Sequence, residues 1–182
     1  MHDWKKILEQ QDISPRYLKM DFKNHPATKP RWNKIIAYGE NPKGNVFMSG
    51  SCGNGKTVTA VTIFAVFASR HGLGCRFYNA ETLYPAWLWE AKNGNVGDLS
   101  RRLSDSPLLI LDDLGQGDIS DGFKRWLYSV INRRWEFEKP LVCTTNLKSP
   151  EFRDVFGDAI FSRLLDGEVW KFEERDHRLP GL

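Results

Sequence analysis

Eight residues constrain this chain more than any other stretch: Gly50-Ser51-Cys52-Gly53-Asn54-Gly55-Lys56-Thr57. The apolar run Asn45-Val46-Phe47-Met48 precedes them and reads as a buried strand. The stretch Lys56–Arg70 follows and reads as a helix, stopped by Gly72 and Gly74. A strand, a glycine-rich loop and a helix in that order form the phosphate-binding pattern G-x-x-x-x-G-K-[ST]. The glycines let backbone N–H groups curl round a phosphate without Cβ clashes, and the helix N-terminus adds favourable partial charge. All eight positions line such a site. Lys56 reaches the β- and γ-phosphates, and the Thr57 hydroxyl ligates Mg²⁺. The alternative is a glycine-rich turn that binds nothing, and a second motif weighs against it.

That second motif is Leu108-Leu109-Ile110-Leu111-Asp112-Asp113, an apolar strand closed by two carboxylates. Asp112 is expected to hold Mg²⁺ and Asp113 to polarise an attacking water; the other reading of Asp113 is a cap on the following turn. Aspartate is one methylene shorter than glutamate, so slow hydrolysis is expected. A third element, Cys143-Thr144-Thr145-Asn146, ends another apolar strand, where Asn146 would orient the hydrolytic water.

The rest of the chain fits the same architecture. Strands are expected at Cys75–Tyr78, Leu141–Thr144 and Glu168–Phe172, with helices at Glu81–Lys92, around Leu99–Leu103 and at Phe123–Phe137. Further helices are expected at Asp3–Gln10, broken by Pro15, and from a Thr28 cap onwards. Uniformly apolar strands separated by helices predict an α/β, three-layer fold with a central parallel sheet. Residues 1–27 read as a short N-terminal segment and 28–182 as the nucleotide-binding core. The longest apolar run, Val58–Ala68, is too short to span a bilayer. Cys52, Cys75 and Cys143 match neither metal spacing nor a disulfide framework, and read as reduced thiols in a cytoplasmic protein. A net charge of +3 permits contact with nucleic acid without demonstrating it, and most of the seven Trp read as core or partner-facing anchors.

The order Leu108–Gly115, then Ile131-Asn132-Arg133-Arg134-Trp135, then Lys139-Pro140-Leu141 running into Thr144-Thr145-Asn146-Leu147 resembles the DnaC/IstB branch of AAA+ ATPases. Ile13-Ser14-Pro15-Arg16-Tyr17 resembles the lead-in of that branch, and Phe161-Ser162-Arg163-Leu164 its late arginine motif. The resemblance runs from Ile13 to Phe172. It implies an AAA+ RecA-like core that binds ATP with Mg²⁺ and hydrolyses it slowly, stimulated by assembly or DNA. It implies a self-assembling ring or spiral on single-stranded DNA, serving as a loader for a DnaB-type replicative helicase. The rival is an IstB-like transposition helper, whose partners are a transposase and duplex DNA. By the same resemblance Asn146 is the sensor residue and Arg163 the arginine finger of the neighbouring subunit's site. Arg134 aligns with a further family arginine, a second contact across the interface. Trp87, Trp89, Lys92, Arg101 and Arg102, within Glu81–Leu103, suit either base stacking and phosphate contact or a solvated helix over a buried tryptophan face.

The chain departs from its relatives in two places. Few residues follow the last strand before the sequence ends at Arg178-Leu179-Pro180-Gly181-Leu182, so a C-terminal helical lid is not expected. Few residues precede Gly50, so the grip on a partner is reduced to a short helix, or the chain is truncated or a divergent mobile-element relative. Adenine contacts are expected near Tyr17–Phe22. A nucleoside kinase is disfavoured because no arginine-rich lid insert follows the core. A nucleotide-gated adaptor with little hydrolysis stays open.

Overall fold

Five parallel strands form one sheet in the order β2-β3-β4-β1-β5. The computed structural model describes residues 2–11, 13–19, 29–72, 74–115 and 119–172. The strands are β1 (Asn45–Gly50), β2 (Cys75–Asn79), β3 (Leu108–Asp112), β4 (Leu141–Thr145) and β5 (Gly167–Phe172). Helices α1 (Trp4–Glu9), α2 (Lys29–Glu40) and α3 (Lys56–His71) cover one face. Helices α4 (Ala80–Lys92), α5 (Val96–Asp105), α6 (Asp121–Glu136), α7 (Ser149–Phe156) and α8 (Asp158–Leu165) complete the chain, and their apolar side chains pack in the core of the other face. The expected three-layer α/β fold is the observed one.

The strands are apolar because both faces are covered. Leu108 to Leu111 are each 0% exposed, and burying one such leucine contributes about 2 kcal/mol. Alternate residues feed opposite cores. Val46 and Met48 join Ile35, Phe64, Phe67 and Trp170, while Phe47 joins Phe123, Leu127, Phe152 and Ile160. Phe47 meets Phe152 edge-on at 5.2 Å.

Helix α1 packs Ile7 and Leu8 into the first core, and a 3₁₀ turn at Pro15–Lys19 follows the break at Pro15. Past α1, Gln11 Oε1 accepts from the backbone N–H of Phe77 on edge strand β2 at 3.3 Å. On the opposite edge, Arg31 donates to the Lys171 carbonyl of β5 at 3.0 Å and stacks on Phe172 at 4.6 Å. The expected cap Thr28 lies outside the described residues, as do Met20 to Phe22 and Arg178 to Leu182. Helices α7 and α8 are additions to the sequence reading. Cys52, Cys75 and Cys143 are free thiols, the last two buried. Among the described residues no helix is long and apolar enough to cross a membrane.

Candidate active site

In a parallel sheet the C-terminal ends of all strands meet along one edge, and ligands sit there. Strand β4 lies between β3 and β1. The segments leaving β1, β4 and β3 therefore bring together the phosphate loop, Thr144–Asn146 and Asp112–Asp113, in that spatial order.

The loop opens on Gly50, where a side chain is sterically forbidden: a Cβ there would lie 2.0 Å from the Phe172 carbonyl oxygen. Gly53 (φ 79°) and Gly55 (φ 93°) take the left-handed conformations that turn the chain into α3. Lys56 is 5% exposed, and its Nζ donates to the carbonyls of Gly50 (2.8 Å) and Ser51 (2.7 Å) and to Asn54 Oδ1 (3.1 Å). The amide of Asn54, 2% exposed, also donates to the Phe172 carbonyl, tying the loop to the end of β5. Ser51 and Cys52 are exposed at the loop's rim.

Asp112 is 2% exposed at the end of β3. Burial raises its carboxyl pKa, hydrogen bonds from the Thr144 and Thr57 hydroxyls pull it back, and neighbouring Asp113 raises it while Lys56 lowers it. The effect of the Thr57 hydroxyl on Asp112 sets the start of α3 beside the end of β3. A hydroxyl beside a carboxylate is a hard oxygen pair that fits Mg²⁺, an ion that keeps several waters and takes its other ligands from phosphates. Among the described residues no group of three or more His, Cys, Asp or Glu forms a metal cage. Asp113 stands at φ 59°, a conformation uncommon for a residue with a side chain. Asn146 Nδ2 donates to Asp113 Oδ1. The sequence reading made these two partners in orienting water, and the structure puts them in contact.

Arg163 lies elsewhere. Asn45 Nδ2 donates to its carbonyl at 2.8 Å, so it is tied to the opposite end of β1 from the loop, roughly 16 Å along the strand. Its side chain is held against α6: Nε donates to Asn132 Oδ1 (2.6 Å), Nη2 to Tyr128 Oη (3.0 Å) and Nη1 to the Ala159 carbonyl (2.9 Å). The guanidinium also stacks on Tyr128 at 4.8 Å and Trp135 at 5.4 Å. The structure does not bring Arg163 to its own subunit's loop.

Arg134 is a correction. The expected contact across an interface is 0% exposed. It donates to the carbonyls of Leu103 (2.6 Å), Ser104 (3.3 Å), Ser106 (2.9 Å) and Pro140 (2.6 Å), and to Ser106 Oγ (3.0 Å). Burial lowers its pKa to about 10, so it stays charged at neutral pH. It clamps the end of α5 and the starts of β3 and β4 from within. In the α4–α5 segment, Trp87 stacks on Tyr84 and packs against Phe123 and Trp126. Arg101 pairs with Asp98 and Arg102 with Glu90. Trp89, 61% exposed, faces solvent together with Lys92, Arg101 and Arg102.

Sequence reasoning missed one residue of the site. Thr144 was read as strand end, yet its hydroxyl touches both carboxylates' segments. Asn54, expected to line the phosphate site, also contacts both Lys56 and β5.

A five-stranded parallel sheet in this order, with this loop and these carboxylates, defines a P-loop nucleotide-binding core of the AAA+ class. The family model described as IstB-like ATP binding protein matches residues 19–172. The chain belongs to that family. The DnaC helicase loader superposes with TM-score 0.77 at 22% identity, over 88% of this chain and 100% of its own. Domain III of the Thermotoga maritima replication initiation protein DnaA gives 0.77 at 20% identity, over 91% and 70%. A DNA replication initiation factor gives 0.74 at 19% identity over 90% of this chain, which spans 51% of that relative's length. At these identities the likeness is one of fold. No curated protein matches the chain at the sequence level.

Proposed function

We propose that the chain is a cytoplasmic, Mg²⁺-dependent ATPase that loads a replicative helicase onto single-stranded DNA from a self-assembled ring or spiral. The observation that carries the ATPase reading is the contact of Asn146 with Asp113 beside Asp112. Asp113 accepts the proton of an attacking water, and Asn146 holds that carboxylate in place while its own amide faces the same water. Lys56 and the loop amides bind the triphosphate. Thr57 and Asp112 would hold Mg²⁺, which would supply compensation for phosphate charge. Arg163, remote from its own loop, suits a site completed by the adjacent subunit. Hydrolysis is slow in the isolated chain for that reason.

The match to DnaC over that chain's whole length supports the loader reading. The family model supports a second reading, a transposition helper on duplex DNA. Single-turnover ATP hydrolysis, measured alone, with single-stranded and with duplex DNA, separates them. Stimulation by single strands, together with deposition of a DnaB-type helicase on a single-stranded circle, is expected. Stimulation by duplex alone favours the transposition helper, and no hydrolysis under any condition leaves a nucleotide-gated adaptor.

A further inference from the structure

We infer that Thr144 is a positioning residue that sets both carboxylates of the site; this rests on the nucleotide-hydrolysis reading above. The β3–β4 register runs as far as Leu111 opposite Cys143. Beyond that point Thr144 replaces the ladder with its own groups. Its carbonyl accepts from the Leu114 N–H at 2.9 Å. Its Oγ1 accepts from the Asp113 N–H at 2.9 Å and donates to Asp112 Oδ1 at 2.7 Å.

The direction of these bonds follows from the donor inventory. A backbone N–H only donates, so the hydroxyl receives there, and its single proton goes to the Asp112 carboxylate. One oxygen atom thus orients Asp112 through its side chain and Asp113 through its backbone. Asp113 needs such a restraint, because a left-handed conformation is unfavourable for an aspartate and persists only when its surroundings over-determine it. Thr144 supplies the N–H anchor, Asn146 the side-chain anchor, and Thr145 Oγ1 holds the Leu114 carbonyl just beyond at 2.6 Å. At 1% exposure no water replaces the Thr144 hydroxyl. Without it, Asp112 turns away from the Thr57 hydroxyl, and Asp113 loses its fixed angle to the attacking water.

The test uses Thr144→Val, which keeps the side chain's shape, and Thr144→Ser, which keeps the hydroxyl. Binding of a fluorescent ATP analogue is titrated with EDTA and with increasing Mg²⁺, and kcat and KM are measured separately. In the valine variant, metal-free binding stays parental. The Mg²⁺ concentration needed to tighten binding rises roughly tenfold or more, and kcat falls by a similar factor with little change in KM, the range expected for a residue orienting a metal ligand. Serine restores both. Should the valine chain fail to fold, Thr144→Ser against Thr144→Ala, differing by the hydroxyl alone, gives the same reading. A parental Mg²⁺ response and kcat in the valine variant overturn the role of Thr144 alone. Absence of Mg²⁺-dependent nucleotide binding in the parent protein overturns the nucleotide reading and this inference together.

Discussion

Lys56 illustrates how one side chain is committed to one task. It is almost fully buried, within a ring of loop oxygens, and a buried ammonium persists only among such acceptors. In Lys56→Ala the triphosphate loses its P-loop cation, and affinity for ATP is expected to fall roughly a hundredfold, about 2.8 kcal/mol. Titration with a fluorescent analogue checks this, and parental affinity would displace the site. Residues of this kind were legible in the sequence because their spacing along the chain is itself the chemistry. Gly50 to Thr57 occupy consecutive positions on one loop, so no knowledge of the fold was needed. Thr144 was not legible in the same way. Its role depends on β4 lying beside β3, a long-range fact that a strand-end threonine does not announce.

Among elements, the buried strands were the clearest in the sequence, since β1, β3 and β4 carry almost unbroken apolar runs. Helices α7 and α8 went unread because each is only eight residues long and Gly157 separates them. Too few turns are present for a helical period to stand out. Arg134 shows the opposite failure: the family resemblance made it a contact across an interface, while the fold buries it completely. Its donors serve carbonyls from three segments. Arg134→Met keeps the apolar stem but leaves those oxygens without a partner, and a loss on the order of 3 kcal/mol is expected. Urea unfolding measures it. A change below about 0.5 kcal/mol would mean that water reaches the carbonyls instead.

For the whole molecule, the placement of Arg163 sets the expected behaviour. It sits on a platform of Tyr128, Asn132 and Trp135, away from its own loop. An arginine supplied across an interface contributes on the order of 10³–10⁵ in rate to comparable enzymes. Arg163→Ala is expected to bind ATP normally and to hydrolyse it very slowly, as is Asp113→Asn. Mixing the two inactive variants pairs some intact Asp113 sites with an intact Arg163 next door, so ATPase activity returns. A mixture that co-assembles but stays inactive would show that Arg163 does not act in trans.

The two sheet edges bear on how copies of the chain meet. A bare edge strand is a template on which another chain can add a strand, the usual start of runaway aggregation. Here Gln11 occupies the Phe77 amide on one edge, and Arg31 occupies the Lys171 carbonyl on the other, where Glu168 and Lys171 add charge. Neighbouring sheets are thereby discouraged from fusing into a continuous fibre. In the assembly proposed above, subunits would be left to associate through side-chain surfaces, whose contacts can be broken and remade.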